Sequence, residues 1–190
     1  MNIFILDTDP TTAAQYHCDK HVVKMILESA QMLSTAYQVS LLPSHHLSIQ
    51  HFKGQKAITI YCKENFPQTQ KLYSVSHLHH PCTQWTYQSI QNYQWHCQLA
   101  LALCTEYTKR YLKTHKSQEI IQFLATLSPN LPNTTHTTPF AIAMKPEFKI
   151  STDPVTCYRH YYLKDKIRFA KWNHSPTPTW FTQQDPPALS

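Results

Sequence analysis

One glycine, Gly54, stands in a chain of 190 residues, and this scarcity narrows the field more than any motif does. Loops that cradle phosphate need backbone N–H groups to approach the ligand closely, which glycine permits and bulkier residues obstruct. A phosphate-binding P-loop and a G-x-G-x-x-G dinucleotide fingerprint are therefore excluded, as is the G-x-S-x-G turn that presents a nucleophilic serine in many hydrolases. No cofactor is implied by any remaining motif. Hydrophobic residues form 42% of the chain and charged residues 15%, a mixture too apolar for disorder and too interrupted by charge for a membrane span.

The length suits one domain, expected over residues 1–181, with a proline-rich tail at 182–190. The start, Met1 to Asp7, lacks the basic region of a signal peptide, so a cytoplasmic location is expected. Cys18, Cys62, Cys82, Cys97, Cys104 and Cys157 form no C-x-x-C pair and are read as buried free thiols.

Hydrophobic periodicity predicts a mainly α fold: a compact helical bundle with a short extended N-terminal arm and long loops. Residues 3–6 read as a strand or a buried arm. Asp9 and Pro10 then open a helix expected to run to about Gln38, with Cys18, Val22, Met25, Ile26, Ser29, Leu33 and Ala36 on its core side. A loop is expected from Ser40 to Gly54, partial helix over 55–75 broken near Pro67, and a second helical region from Pro81 to Lys113 with a bend near Asn92. Ser117 is placed as the cap of a short helix ending at Leu127. Residues 128–138 have loop chemistry, Thr138 to Met144 is expected to form a helical turn, and Val155 to Trp172 a last long helix capped by Asp153. Trp180 and Phe181 are expected to fold back onto the body.

Two groups of residues carry chemical interest. On the first helix His17, His21, Lys24 and Glu28 fall in one row, flanked by Lys20, at a spacing that aligns them on a polar face. Such a row can bind phosphate, move protons, or supply an amine nucleophile with an acid or base beside it. It can equally be a solvated face with a Lys24–Glu28 ion pair. The His17 and His21 imidazoles also have the spacing of a metal-binding pair, needing a third ligand such as Glu28, His79, His80 or His96.

The second group is the closing stretch, where Arg159, Lys164, Lys166, Arg168 and Lys171 alternate with aromatic residues up to Trp172. Residues 1–95 hold six Lys and Arg against five Asp and Glu, a balance of +1. Residues 96–190 hold eleven against six, a balance of +5, which makes up the formal +6. Cations interleaved with rings suit a phosphate backbone and its bases, so nucleic acid, DNA above all, is the expected partner. The competing view makes the aromatic residues core and the cations merely solubilising.

Several of these segments resemble a known group. Leu6-Asp7-Thr8-Asp9-Pro10, Cys18-Asp19-Lys20-His21-Val22-Val23-Lys24-Met25, His80-Pro81-Cys82-Thr83 with Trp85, Thr138-Pro139-Phe140-Ala141 with Ala143-Met144, and Tyr158-Arg159 through Phe169-Ala170-Lys171-Trp172 are similar to a family of small proteins common in tailed-phage genomes. The likeness spans nearly the whole chain, implies the host cytoplasm as the location, and brings no activity with it.

A second resemblance, over about 70 residues, is to the phage pyrimidine-dimer DNA glycosylases of the endonuclease V type. It rests on the N-terminal arm leading into Ala14–Lys24, on the Leu99–Lys113 helix with Glu106-Tyr107-Thr108-Lys109-Arg110, and on the basic, Trp-bearing C-terminal stretch. That family is helical, flips a base out of the duplex and forms an imine at the sugar with an N-terminal amine. The resemblance aligns Lys20 and Lys24 with phosphate-binding arginines and sets the catalytic glutamate position on or near His21. The amine would be that of Met1, because Asn2 is large enough to leave Met1 in place.

Three functions follow as expectations. One is a base-excision glycosylase and abasic-site lyase, with Met1 or Lys20 as nucleophile, His17, His21, Lys24 and Glu28 around it, and the Arg159–Trp172 stretch on phosphates. Another is a non-catalytic factor that binds nucleic acid or a host protein. The third is a metal-dependent enzyme built on His17, His21 and Glu28.

Overall fold

The computed structural model describes residues 1–43 and 52–182, and among these the protein is mainly α-helical with no β-strand. The Asp9 carboxylate accepts the Thr12 N–H at 2.7 Å and so caps α1 (Pro10–Tyr16), with Pro10 at the first helical position as expected. The helix does not run on to Gln38. His17 and Cys18 are extended, with ψ of 133° and 159°, and α2 (Asp19–Ser40) starts afresh.

A residue remote in sequence causes this break. The Arg110 guanidinium, with its side chain fully buried, donates to the carbonyls of His17 at 2.8 Å and Gln15 at 2.9 Å. It also pairs with Glu106 at 3.0 Å and Asp19 at 3.2 Å. The Trp172 indole N–H takes the Tyr16 carbonyl at 3.1 Å. Carbonyls left open at the end of α1 thus find buried partners that a continuous helix would have denied them.

After α2 come α3 (Gln55–Asn65) and a 3₁₀ turn, Pro67–Lys71, matching the expected break near Pro67. Gly54 precedes α3 at φ 89°, a left-handed conformation that side chains disfavour. Of the loop expected from Ser40 to Gly54, residues 44–51 lie outside the described residues. The expected bend near Asn92 falls at Ser89, between α4 (Pro81–Gln88) and α5 (Ile90–Tyr111). The Ser89 hydroxyl caps α5 by accepting the Asn92 N–H at 3.1 Å. In front of α6 (Gln118–Thr126) Ser117 does not cap with its side chain, because its hydroxyl meets the Tyr73 hydroxyl at 3.1 Å.

The two 22-residue helices, α2 and α5, each about 33 Å long, form the centre of the bundle. α1 and α6 pack on α5, while α4 and α6 also pack on α2. Every member of the predicted core side of α2 is buried, and Tyr93, Leu99 and Leu103 of α5 join it. Each such apolar side chain contributes roughly 1.5 to 3 kcal/mol of burial. All six cysteines are buried and free.

Two further expectations are corrected. Thr138 to Met144 forms no helical turn, because its main chain is bound sideways: Ala141 O and Ala143 N–H contact the Tyr158 hydroxyl at 2.9 and 3.1 Å, and Ala143 O accepts from Asn2 Nδ2 at 2.9 Å. The closing helix is also shorter than expected. It consists of α7 (Pro154–Tyr161), capped by Asp153, and a π-helical turn at Tyr162–Lys166, after which the chain leaves helical geometry. The reason is again partnership. The Lys171 carbonyl accepts the Asp19 N–H at 2.9 Å, and the Asn173 N–H reaches the Asp19 carboxylate at 2.7 Å, so the segment is tied to the start of α2.

Trp180, at the edge of a single turn, α8 (Thr179–Thr182), lies 6.0 Å from both the Tyr16 and Tyr162 rings, and Phe181 lies 4.6 Å from Trp172. Trp180 and Phe181 have therefore folded back onto the body as expected, while residues 183–190 lie outside the described residues.

Candidate functional site

The break after α1 dissolves the predicted row. His17 is fully buried, its Nδ1 2.7 Å from the Ala13 carbonyl, and burial followed by the nearby Arg110 charge pushes its pKa down to about 4. His21 is also buried. It stacks on Phe4 at 4.4 Å, meets the edges of Tyr162 and Phe169, and holds the Tyr162 hydroxyl with Nδ1. Burial above all, and then the charges of His17, Lys166, Lys24 and Lys20, depress its pKa to about 2. Both imidazoles are thus neutral packing groups near neutral pH, contrary to their expected place on a polar face. Among the described residues no three His, Cys, Asp or Glu side chains converge as a metal site.

Lys20 and Lys24 remain at the surface. The Lys20 ammonium lies 4.8 Å above the Phe169 ring, and Lys24 reaches Glu28 at 3.3 Å, the pair expected from spacing. Glu28 differs from them in being buried beneath the start of the chain. Its Oε2 accepts the Asn2 N–H at 2.9 Å and lies 3.6 Å from the α-amino group of Met1. The Met1 side chain is only 3% exposed, yet the residue as a whole is half-buried, so its exposure belongs mainly to the main chain bearing the amine.

Asn2 anchors this arrangement. Its amide oxygen accepts from Tyr158 at 2.8 Å and Cys82 at 3.4 Å, while its amide nitrogen donates to Ala143. His80 sits close enough to feel the amine: burial first, then the charges of the amine and His77, lower its pKa, with Glu28 acting the other way. Its Nδ1 accepts the Cys82 N–H, which leaves Nε2 as the hydrogen-bearing nitrogen of the neutral ring. His77 carries a positive φ of 49°, uncommon for a side-chain-bearing residue. Sequence spacing gives no sign that Met1, Asn2, His80 and Tyr158 meet.

The closing stretch divides. Arg159 is partly exposed and tied to the opening arm, donating to the Leu6 carbonyl at 2.9 Å and to Asp7 at 3.2 Å, with the Tyr16 and Trp180 rings about it. Trp172 is buried and spends its N–H on Tyr16. Trp172 is thus enclosed, whereas the Arg159 side chain, although tied to the opening arm, remains 30% exposed. Lys166 pairs with Asp165 at 2.8 Å and donates to the Tyr161 hydroxyl. Lys164, Arg168 and Lys171 are exposed and form no ion pair among the described residues, and Arg168 lies 5.7 Å from the Phe169 ring that Lys20 covers. Phe169 therefore joins the first turn of α2 to the basic closing segment.

No known protein family, curated protein or solved structure matches the chain. What the fold and geometry define is a class only: a mainly helical protein with a buried carboxylate beside its N-terminal amine and a cationic, ring-bearing surface alongside.

Proposed function

We propose that this protein acts on DNA as a base-excision glycosylase and abasic-site lyase, with the Met1 amine as nucleophile and Glu28 as its proton acceptor. The single observation that carries this reading is the 3.6 Å approach of the amine to the Glu28 carboxylate. Lys24 and Lys20 follow at one-turn intervals along α2, which places Lys20 and Phe169 about 12 Å from Glu28 along the helix. The carboxylate comes from Glu28, two turns beyond the His21 position where the family resemblance set it.

At an abasic site the unprotonated amine adds to the C1′ aldehyde, and loss of one water leaves an imine. Removal of a C2′ proton then breaks the C3′–O bond and releases the phosphate-bearing strand. On an intact nucleotide the same nitrogen displaces the base at C1′. Lys20, Lys24, Lys164, Arg168 and Lys171 hold the backbone, with an affinity that falls as salt rises.

Borohydride trapping on duplex DNA with an abasic site or a pyrimidine dimer tests the reading. A covalent adduct is expected, and it should vanish when the amine is acetylated or extended by one residue and fall at least about 100-fold in Glu28→Gln, given the usual contribution of a positioned base. An adduct that survives acetylation, or no adduct at all, overturns it.

A second reading has its own support. Both imidazoles of the row are neutral and enclosed, while Lys164, Arg168 and Lys171 stand exposed. A factor that binds nucleic acid without turnover fits those facts, and it predicts salt-sensitive binding with no strand cleavage.

A further inference from the structure

A cleft of about 600 Å³ opens between the end of α2, α4 and the segment 130–141. It is a different place from the amine, bordering it only at Pro81, next to His80, and at Ala141, whose carbonyl the Tyr158 hydroxyl contacts. In a chain of net charge +6 with 13 histidines, none of the described residues lining it is Lys, Arg, Asp, Glu or His. Its polar side chains are the amides of Gln84, Gln88 and Asn130, the Tyr87 hydroxyl, and the Ser40 hydroxyl, which is already spent on the Tyr37 carbonyl. Its flat surfaces are the half-buried Tyr87 ring and prolines that include Pro132 and Pro139, over a floor formed by the buried Trp85.

We infer that this cleft binds an uncharged, planar heterocycle with amide-type donor and acceptor edges, of the size of a nucleoside. A volume in this range is usual for small-molecule sites. Each side-chain amide presents a donor and an acceptor side by side, which matches the alternating edge of a lactam or an aminopyrimidine ring without any charge to neutralise. Among the described residues the Asn130 amide has no hydrogen-bond partner, and Gln88 uses only its oxygen, which accepts from Thr138 at 3.0 Å and leaves the NH₂ for a ligand.

The site is also built in advance. Its loop wall is pinned by Thr138 N–H to Asn92 at 2.9 Å, by the Trp85 indole to the Thr138 carbonyl at 3.2 Å, and by the Ile90 N–H to the Pro132 carbonyl at 2.9 Å. Thr134 adds a bond from its N–H to Gln91 at 2.8 Å. A wall fixed by this many bonds does not need to be ordered when a ligand arrives, which removes one of the main costs of binding.

Titration of the full chain with uridine, adenosine and their 5′-monophosphates, followed by tryptophan fluorescence and by NMR, tests the inference. Saturable binding of a neutral nucleoside is expected, with the monophosphate no tighter. Gln84→Ala and Asn130→Ala, both at exposed positions, should each weaken it about fivefold, the usual worth of one hydrogen bond. Absence of saturation, tighter binding of the monophosphates, or indifference to both substitutions overturns it. Acetylating the Met1 amine should leave nucleoside binding unchanged, so loss of borohydride trapping with nucleoside binding intact bears on the imine chemistry alone.

Discussion

Two regions rich in polar groups meet opposite fates in this protein. At the joint between α1 and α2, Arg110, Glu106, Asp19 and His17 are buried and tied to one another or to main-chain carbonyls. Along the closing segment, Lys164, Arg168 and Lys171 stand exposed and, among the described residues, outside any ion pair. Composition, then, does not separate a cation tied into the fold from one left exposed. Arg159 and Arg168 lie nine residues apart in a stretch that looks uniform, yet one is locked to Leu6 and Asp7 and the other is not.

The sharpest way to press on the buried region is acid. His17, His21 and His96 have pKa values lowered to about 4, 2 and 3, in each case chiefly by burial. Unfolded histidine titrates near 6.5, so below that pH the unfolded chain binds protons that the folded one refuses. Stability is fully present above about pH 6.5 and drains away as pH falls toward these lowered values, at up to about 1.4 kcal/mol per pH unit per site. Three sites together give about 4 kcal/mol per unit, and urea midpoints measured from pH 7 to 5 should show it. A flat profile would mean that the imidazoles are not enclosed as described.

Breaking the staple comes next. Arg110→Leu leaves Asp19 and Glu106 without their buried partner, and a loss of about 3 to 5 kcal/mol in chemical denaturation is expected. Replacing Lys164, Arg168 and Lys171 together by alanine should change stability by no more than about 0.5 kcal/mol per site. The same triple change should lower the slope of log affinity for duplex DNA against log salt by about 0.9 for every phosphate deprived of its cation. Should it unfold the protein and leave DNA binding alone, the contrast between the regions would be reversed. The smallest effect belongs to Lys24→Ala: its ammonium is exposed, and the Glu28 carboxylate keeps the Asn2 N–H and the Met1 amine, so a loss of no more than about 0.5 kcal/mol is expected.

Legibility in the sequence depends on the distance between partners. Helix starts at Asp9-Pro10 and Asp153-Pro154 are local devices, and both stand where their residues predict. The apolar side of α2 follows from its own period and is buried throughout. The interruption at His17 and Cys18 is invisible to spacing because Arg110 and Trp172, which stabilise it, lie 93 and 156 residues from the carbonyls they hold. A helix continued through that point puts His17 and His21 on a wet face, where only the lysines remain. Glu28 stands out in the sequence as part of that row, but its meeting with the Met1 amine depends on Asn2 being gripped by Tyr158, and no spacing encodes that. The uncharged cleft leaves no trace either, since its walls come from three separate stretches of chain.

The grip on Asn2 also sets an order of events during synthesis. The opening arm finds its partners in Ala143, Tyr158 and Arg159, separated from it by 141 to 156 residues. At ordinary elongation rates those residues leave the ribosome roughly 8 to 30 s after the first ones. The beginning of the polypeptide is therefore among the last parts to be locked in place.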